Sequence, residues 1–277
     1  MDEKINNMNI RPQLHVSMLD QISKCGIQFQ RRYGYRFGIW DKEEIIKPGI
    51  ALITGISVHA SVENDLTNKI QTGQLLSNEA VADITRTAFE CEWQGGVILD
   101  DDEAYDIEKT KGAAVDKTVR LSLLHHNELA PTVQPLEVEK KFVIKMDNFP
   151  LDLAGKMDIR EENAIGDVKT MAANKPTVQS DQMAMYSVAF KIEFGHYPET
   201  VYHQKLIKTK EPKAIVESMK PDESWINPLL RRIERFIEVI DAVKSGKQCL
   251  MPADPNHWCC TQKYCGFSSS CKFWSGK

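Results

Sequence analysis

Apolar residues recur with two different periods along the chain, and these periods predict the order of its structural elements. Apolar positions three or four residues apart predict helices within the first 130 residues and again over 225–243. Alternating apolar and polar residues predict strands at 136–144, 151–160, 164–170 and 201–207. A strand-rich centre with helices before and after it predicts an α/β domain with a central mixed sheet.

Residues 151–170 are predicted to form a β-hairpin whose turn lies at the polar residues 161–163. Asp158 lies late in the first strand, while Asp167 and Lys169 lie in the second. Asp167 and Lys169 are two residues apart and therefore face one way, and the turn can bring Asp158 beside them. Carboxylate oxygens suit Mg²⁺ or Mn²⁺, so this face is a candidate metal site. The spacing alone also fits an exposed charged hairpin.

The helix that follows the hairpin carries Gln182 and Tyr186, which are four residues apart and share one side. Gly155 precedes Asp158 by three residues. The chain therefore contains G-x-x-D, D-x-K and Q-x-x-x-Y in that order, a pattern that resembles the RecB-like branch of the PD-(D/E)XK nuclease superfamily. The resemblance extends over most of the chain, with an interval between residues 72 and 135 that it does not cover.

The resemblance implies a restriction-endonuclease-like core, with the element order αβββαβ, and a helical N-terminal insertion. It also implies hydrolysis of DNA with a divalent metal. The implied catalytic residues are Asp158, Asp167, Lys169, Gln182 and Tyr186. Because lysine side chains are normally protonated near neutral pH, we expect Lys169 to orient the attacking water and to offset the charge of the scissile phosphate.

A further motif lies in a helix predicted to begin at Gly55, where His59 and Glu63 are four residues apart. A lone histidine in a helix is usually structural. The pattern G-x-x-x-H-x-x-x-E nevertheless resembles the first motif of the same family, which implies that His59 is a metal ligand. The implied metal ligands are His59, Asp158, Asp167 and the backbone carbonyl of Val168. Glu63 and Glu139 are weaker candidates that could support these ligands.

Four of the seven cysteines lie in the last 20 residues, which in the cytosol is more typical of a metal or iron–sulfur site than of disulfides. The spacing C-x4-C-x5-C from Cys260 resembles the C-terminal cysteine motif of RecB-like nucleases. The resemblance implies a [4Fe-4S] cluster held by Cys25, Cys260, Cys265 and Cys271. Structural Zn²⁺ would accept the same sulfurs, and the neighbouring Cys259 leaves the ligand set open.

We expect one nuclease domain over residues 1–277. Within it, residues 73–130 form the helical insertion, and a cysteine-rich tail over 249–277 packs back on a helix over 17–36 that Ser17 caps. Ligands near both ends of the chain would close a very long loop. The cluster is therefore expected to be a structural clasp.

Composition and charge limit the function only loosely. The chain is 42% hydrophobic and 27% charged, as is usual for a globular protein, and its formal net charge is −4. This charge argues against a generally basic nucleic-acid coat but leaves room for a local basic groove. With no run of 18 apolar residues and no signal-peptide core, we expect a cytoplasmic protein that does not enter the membrane.

The expected function is a metal-dependent deoxyribonuclease, an exonuclease in recombination, repair or DNA processing, with DNA as substrate and a helicase or recombinase as a candidate partner. Two alternatives stay open. One is a DNA-binding recombination protein that is inactive alone and is clasped by a structural metal. The other is a zinc-stabilised protein-interaction module in which the D-x-K match is accidental. The sequence sets neither the cleavage polarity, nor the strand preference, nor the oligomeric state.

Overall fold

A mixed six-stranded sheet forms the centre of the protein, whose computed structural model describes residues 11–147 and 149–274. The strands are β1 Gln13–Leu14, β2 Glu137–Lys145, β3 Asp152–Arg160, β4 Ala164–Met171, β5 Thr200–Ile207 and β6 Lys213–Met219. They follow the order β1-β3-β4-β5-β6, and β2 pairs along β3. The pairs β1–β3 and β4–β5 are parallel, and the others are antiparallel. The sequence pattern did not predict β1 or β6.

Nine α-helices occur in the described part of the chain. They are α1 Val16–Lys24, α2 Gly26–Tyr33, α3 Ile50–Thr72, α4 Asn78–Gln94, α5 Asp101–Tyr105, α6 Ile107–Leu124, α7 Asp181–Phe194, α8 Glu223–Lys244 and α9 Gln262–Cys265. A π-helical turn, His125–Leu129, follows α6. Across the described residues, no helix combines the length and the apolar character needed to cross a bilayer.

Two apolar clusters hold helices against the sheet. One cluster contains residues of α1, α2, α7, α8 and the strands β2 to β5. The other contains residues of α3, α6, the π-helical turn and the strands β3 to β5. The mixed sheet and the helices packed on it confirm the predicted α/β fold.

The predicted N-terminal helix is interrupted in the structure. Its N-cap is His15 and not the predicted Ser17, and the helix stops before Cys25, whose backbone is extended (φ −157°, ψ 106°). A new helix, α2, starts at the next residue. The break coincides with a contact from the C-terminal tail, because the Gly26 N–H donates to Met251 O at 2.8 Å. The thiol of Cys25 therefore lies at a junction between two helices rather than inside one.

Helix α3 begins earlier than the predicted start at Gly55. Its N-cap is Gly49, and Ile53 is fully buried in a small apolar cluster with Phe89 and Ala114. Burial of this first turn explains the longer helix. The cluster also joins α3 to α4 and α6, which lie in the segment predicted as a helical insertion; its status as an insertion stays a prediction.

The predicted domain bounds, 1–277, and the bounds of the cysteine-rich tail, 249–277, extend past the described part of the chain. Residues 1–10, 148 and 275–277 lie outside it. Within the described part, the tail does contact α2, since the side-chain amide of Gln28 donates to Cys259 O at 2.9 Å. The division into domains stays a prediction.

Candidate functional site

The candidate site lies where β3 and β4 separate. The two strands pair through two residues on each side, 159–160 and 165–166. Asp158 of β3 and Asp167 of β4 are the first residues beyond this short ladder. Further along β3, residues 152–153 pair with β1 instead of β4. The Asp158 carboxylate accepts the N–H of Val168 at 2.8 Å, in place of a backbone oxygen. We call the resulting opening in the sheet the fork.

Three side chains at the fork could hold a metal ion: His59 from α3, Glu139 from β2 and Asp158 from β3. Each offers one ligand atom, and these atoms lie within 4.8 Å of one another. His59 Nδ1 lies 3.4 Å from Asp158 Oδ2 and 3.6 Å from Glu139 Oε1. One imidazole and two carboxylates suit a divalent ion such as Mg²⁺ or Mn²⁺. We call these residues the ligand triad.

The hydrogen bonding of His59 leaves one ring nitrogen free for a metal. His59 Nε2 lies 3.0 Å from Val168 O, which can only accept, so Nε2 carries the proton. The lone pair is then on Nδ1, which faces the two carboxylates of the triad. Metal-ligating histidines commonly donate their second nitrogen to a carbonyl in this way. In the structure the Val168 carbonyl accepts a hydrogen bond from His59, and its role as a metal ligand stays a prediction.

Glu139, for which a supporting role was predicted, lies in the group of side chains that could hold a metal ion. Its carboxylate belongs to the ligand triad and also forms an ion pair with Lys156. Its backbone has a left-handed φ of 51° in the middle of β2, a conformation that favours glycine. The ladder to β3 continues on both sides of it. Backbone strain of this kind persists where the surrounding structure enforces it, often at functional sites.

Asp167 is bound by two other predicted catalytic side chains. Its Oδ2 lies 2.8 Å from Lys169 Nζ, and its Oδ1 accepts from Gln182 Nε2 at 2.7 Å. Lys169 Nζ in turn donates to Gln182 Oε1 at 2.6 Å. We call these three residues the Asp167 cluster. Burial, and then the charge of Asp158, raise the pKa of Asp167 to about 6. Asp167 does not belong to the ligand triad, so its metal-binding role stays a prediction.

Tyr186 and Glu63 occupy different positions relative to the fork. The Tyr186 hydroxyl accepts from Gln182 Nε2 at 2.7 Å and donates to Lys156 O, and burial raises its pKa. It therefore links α7 to β3 beside the site. Glu63 is exposed on α3 and does not belong to the ligand triad.

A cleft of about 660 Å³ opens in front of the fork. Asp158, Gln182 and Tyr186 line it from the sheet and α7. The lining also contains residues that sequence reasoning missed, including Arg232 of α8, whose guanidinium forms an ion pair with Asp181 at 2.7 Å. No local signal separates this arginine from the other charged residues of an amphipathic helix.

A buried polar group on the strand beside the fork was also missed. His203 of β5 is paired in register with Asp167 and is 1% exposed. Burial lowers the pKa of His203, against the opposing effect of the Asp167 charge. Next to it, Lys205 and the N–H groups of Thr177 and Val178 outweigh the effect of burial and lower the pKa of Glu217 to about 2. Asp167 and His203 meet because β4 pairs with β5, and Glu217 reaches His203 because β5 pairs with β6.

The predicted cysteine ligands approach one another at the junction of the tail with α1 and α2. The Cys25 thiol accepts the N–H of Ala253 at 3.3 Å. Burial and the neighbouring thiols of Cys265, Cys25 and Cys271 raise the pKa of Cys260. Cys25, Cys265 and Cys271 therefore all lie near the Cys260 thiol.

Cys259 has a different environment from Cys260. It is buried, and its Sγ lies 3.0 Å from Nδ1 of His257. Burial, and then the nearby Cys25, Cys260 and Cys265, raise its pKa to about 11. The Cys259 thiol thus already has an imidazole partner, whereas Cys260 is influenced by all three other predicted ligands.

No protein-family model matches the chain, and no curated protein sequence matches it. Among solved structures, the chain is similar to the crystal structure of a "putative exonuclease" from Eubacterium rectale. The TM-score is 0.55 at 15% sequence identity, over 94% of this chain and 92% of that chain. The structure of SSO0001 gives a TM-score of 0.32 at 14% identity, over 92% of this chain and 95% of that chain, and carries no argument. The first likeness shows a shared fold.

Proposed function

We propose that the chain is a divalent-metal-dependent deoxyribonuclease of the RecB-like PD-(D/E)XK type, acting as an exonuclease in DNA recombination, repair or processing. The observation that carries this proposal is the ligand triad at the fork, directly beside the Asp167 cluster. The likeness in fold to a protein named as an exonuclease supports it.

The donor set of the triad fits a hard divalent cation, since two of its three groups are carboxylates. Such an ion would stabilise negative charge on the attacked phosphate and lower the pKa of a bound water. The chain's own task is to fix the geometry. Asp158 is held by a backbone N–H and His59 by a backbone carbonyl, so both ligands are oriented before any ion or DNA binds.

The Asp167 cluster supplies the second half of the proposed mechanism. Hydrolysis adds a water across one P–O bond, so water and phosphate must be held together at the site. Lys169 lies at the mouth of the fork with its side chain 32% exposed, where its ammonium can orient the water and offset phosphate charge. Gln182 binds both Lys169 and Asp167 and keeps them in this arrangement.

We further propose that Cys25, Cys260, Cys265 and Cys271 hold a [4Fe-4S] cluster that clasps the tail to the N-terminal helices. The position of Cys25, Cys265 and Cys271 around Cys260 supports a shared metal group. Structural Zn²⁺ would accept the same four sulfurs. The resemblance of the cysteine spacing to that of RecB-like nucleases favours the iron–sulfur cluster, and the iron and zinc content of the purified protein separates the two.

The test is cleavage of end-labelled linear DNA, single- and double-stranded, with Mg²⁺, Mn²⁺ or EDTA. Wild type is compared with Lys169→Ala and with Lys213→Ala, which removes an exposed lysine of β6. We expect metal-dependent degradation by wild type and Lys213→Ala, and at least a 100-fold loss in Lys169→Ala. The product ladder would give the polarity of cleavage.

Two results would contradict the proposal. One is a folded, cluster-containing wild type that cleaves neither substrate with either metal. The other is Lys169→Ala cleaving as fast as Lys213→Ala.

A further inference from the structure

His203 is buried beside Asp167, on the neighbouring strand β5, where the two residues are paired in register. Its Nε2 is 3.7 Å from Asp167 Oδ2, just beyond hydrogen-bond distance, and has no hydrogen-bond partner among the described residues. Its Nδ1 lies 2.7 Å from Oγ1 of Thr177, in the loop between β4 and α7. The imidazole therefore bridges a proposed catalytic carboxylate and a threonine hydroxyl.

The hydrogen bonds of Thr177 decide which nitrogen of His203 carries the proton. The hydroxyl can donate one proton, either to His203 Nδ1 at 2.7 Å or to Glu217 Oε2 at 3.3 Å. Glu217 Oε2 already accepts from two backbone N–H groups, at 2.9 and 3.2 Å, and forms an ion pair with Lys205. The hydroxyl proton is assigned to the shorter contact, with His203 Nδ1 as acceptor, for two reasons: the Glu217 oxygen already has three donors, and an unprotonated Nε2 would direct its lone pair at the Asp167 carboxylate. A neutral imidazole then has its own proton on Nε2.

We propose that Thr177 and His203 are positioning residues for Asp167: the threonine hydroxyl fixes the Nε2–H tautomer of His203, and this N–H is directed at Asp167 Oδ2. The inference rests on the proposed function where it concerns cleavage. It does not depend on that function where it concerns the tautomer.

This arrangement gives Asp167 a partner that stays in place during turnover. Gln182 lines the cleft and the Lys169 side chain is 32% exposed, so water, metal and phosphate would compete for the hydrogen bonds of both side chains. His203 is fully enclosed by protein. The opposite tautomer would place a nitrogen lone pair against the carboxylate, which is repulsive. Removing a residue that orients a ligand or catalytic group by a hydrogen bond typically lowers activity 10- to 100-fold.

The test compares Thr177→Val, which removes the hydroxyl at nearly constant shape, with Thr177→Ser, which keeps it. Long-range ¹H–¹⁵N NMR spectra of the imidazoles give the tautomer without metal or DNA. The chain has seven histidines, and His203→Gln identifies the His203 signal by its disappearance. We expect the Nε2–H tautomer in wild type and Thr177→Ser, and the Nδ1–H form or a mixture in Thr177→Val.

Cleavage kinetics give the second measurement on the same proteins. Thr177→Val should lower kcat about 10- to 100-fold with KM for DNA within about two-fold, while Thr177→Ser should retain most of the activity. An Nδ1–H tautomer in wild type, or equal effects of the valine and serine variants, would overturn the inference. Absence of cleavage by wild type would contradict the proposed function alone, because the NMR spectra still decide the tautomer.

Discussion

The fork and the cysteine tail are both candidate metal sites, but they are built in opposite ways. At the fork, the ligand side chains project from strands and a long helix, and backbone groups hold two of them in place. In the tail, the thiols lie on loops and very short elements. The contact of Ala253 with Cys25 joins positions 228 residues apart in sequence.

This difference predicts different consequences of losing each metal. The fork is preorganised by the sheet, so its ion should contribute to chemistry and little to folding. The tail is joined to α1 and α2 across most of the chain, so a cluster there should contribute mainly to stability, as cross-links that close long loops do. Variants at the two sites should therefore separate activity from stability.

The largest expected effect is the loss of activity in Asp158→Asn. The amide keeps the shape and can still accept the Val168 N–H, but it removes the charge that the ligand triad offers a cation. We expect cleavage to fall at least 10³-fold, about 4 kcal/mol of transition-state stabilisation, with Tm almost unchanged. The measurement is cleavage rate together with thermal unfolding.

Asp116→Asn, at an exposed residue of α6, is the matched control and should change neither quantity. A large fall in Tm for Asp158→Asn would show that the fork is held together by its charges. That result would remove the contrast between the two sites.

The second effect is a loss of stability in Cys25→Ser. Removing one proposed ligand at the helix junction would open the proposed clasp, and cross-links of long loops typically contribute about 2 to 4 kcal/mol. We expect bound iron to fall, Tm to drop by roughly 10 °C and the activity of the folded fraction to persist. Cys91→Ser, at an exposed cysteine of α4, is the control. Equal iron content and equal Tm in the two variants would refute the clasp.

The third effect is a pH-dependent stability that arises from Asp167 at the fork. Because the pKa of Asp167 in the folded protein is about 6, above its ordinary value of 3.8, folding favours the protonated form. The penalty for ionising it grows as pH rises from about 4 to about 6 and then stays constant, reaching about 3 kcal/mol. The metal-free Asp167→Asn variant escapes this penalty.

The measurement is urea unfolding of metal-free wild type and Asp167→Asn between pH 4 and pH 8. The difference between the two proteins isolates Asp167 from other groups, such as His125, whose pKa burial lowers to about 4. We expect the stability advantage of the variant to increase up to about pH 6 and to shrink when Mg²⁺ is added. A difference that is independent of pH would contradict the shifted pKa.

Much of the fold could be predicted from the sequence because its strands carry local signals. Alternation and a polar turn are sufficient for β2 to β5 and for the hairpin. The two residues of β1 show no such pattern, and their pairing with β3 supplies their conformation. The break at Cys25 and the early start of α3 at Ile50 likewise depend on contacts with distant segments.

The residues of the site likewise divide into those that a local sequence pattern predicts and those that only the fold brings to the site. Asp158, Asp167 and Gln182 follow motif spacing, and the structure brings them to one opening. His203 and Arg232 have no spacing that relates them to that motif, since they reach it through strand pairing and helix packing. Where two paired strands separate is equally invisible in a linear pattern, although the chemistry of the site depends on it.

The smallest expected effect concerns backbone strain. A left-handed backbone conformation falls on a glycine in the tail but on a glutamate at the fork. In the tail, a positive φ of 63° falls on Gly266. At the fork, a positive φ of 51° falls on Glu139, a residue that pays a steric cost there. We expect Glu139→Gly to be more stable than Glu139→Ala by about 1 kcal/mol, because glycine adopts this conformation freely. Both variants should lose metal affinity equally.

Urea unfolding and Mn²⁺ titration measure the two quantities, and the same pair of substitutions at Lys141, an exposed neighbour in β2, is the control. There the order should reverse, with alanine more stable than glycine by about 0.5 to 1 kcal/mol, because glycine loses more conformational freedom in a strand. If alanine is the more stable residue at both positions, Glu139 is not strained. The fork would then resemble the tail in having no strained ligand.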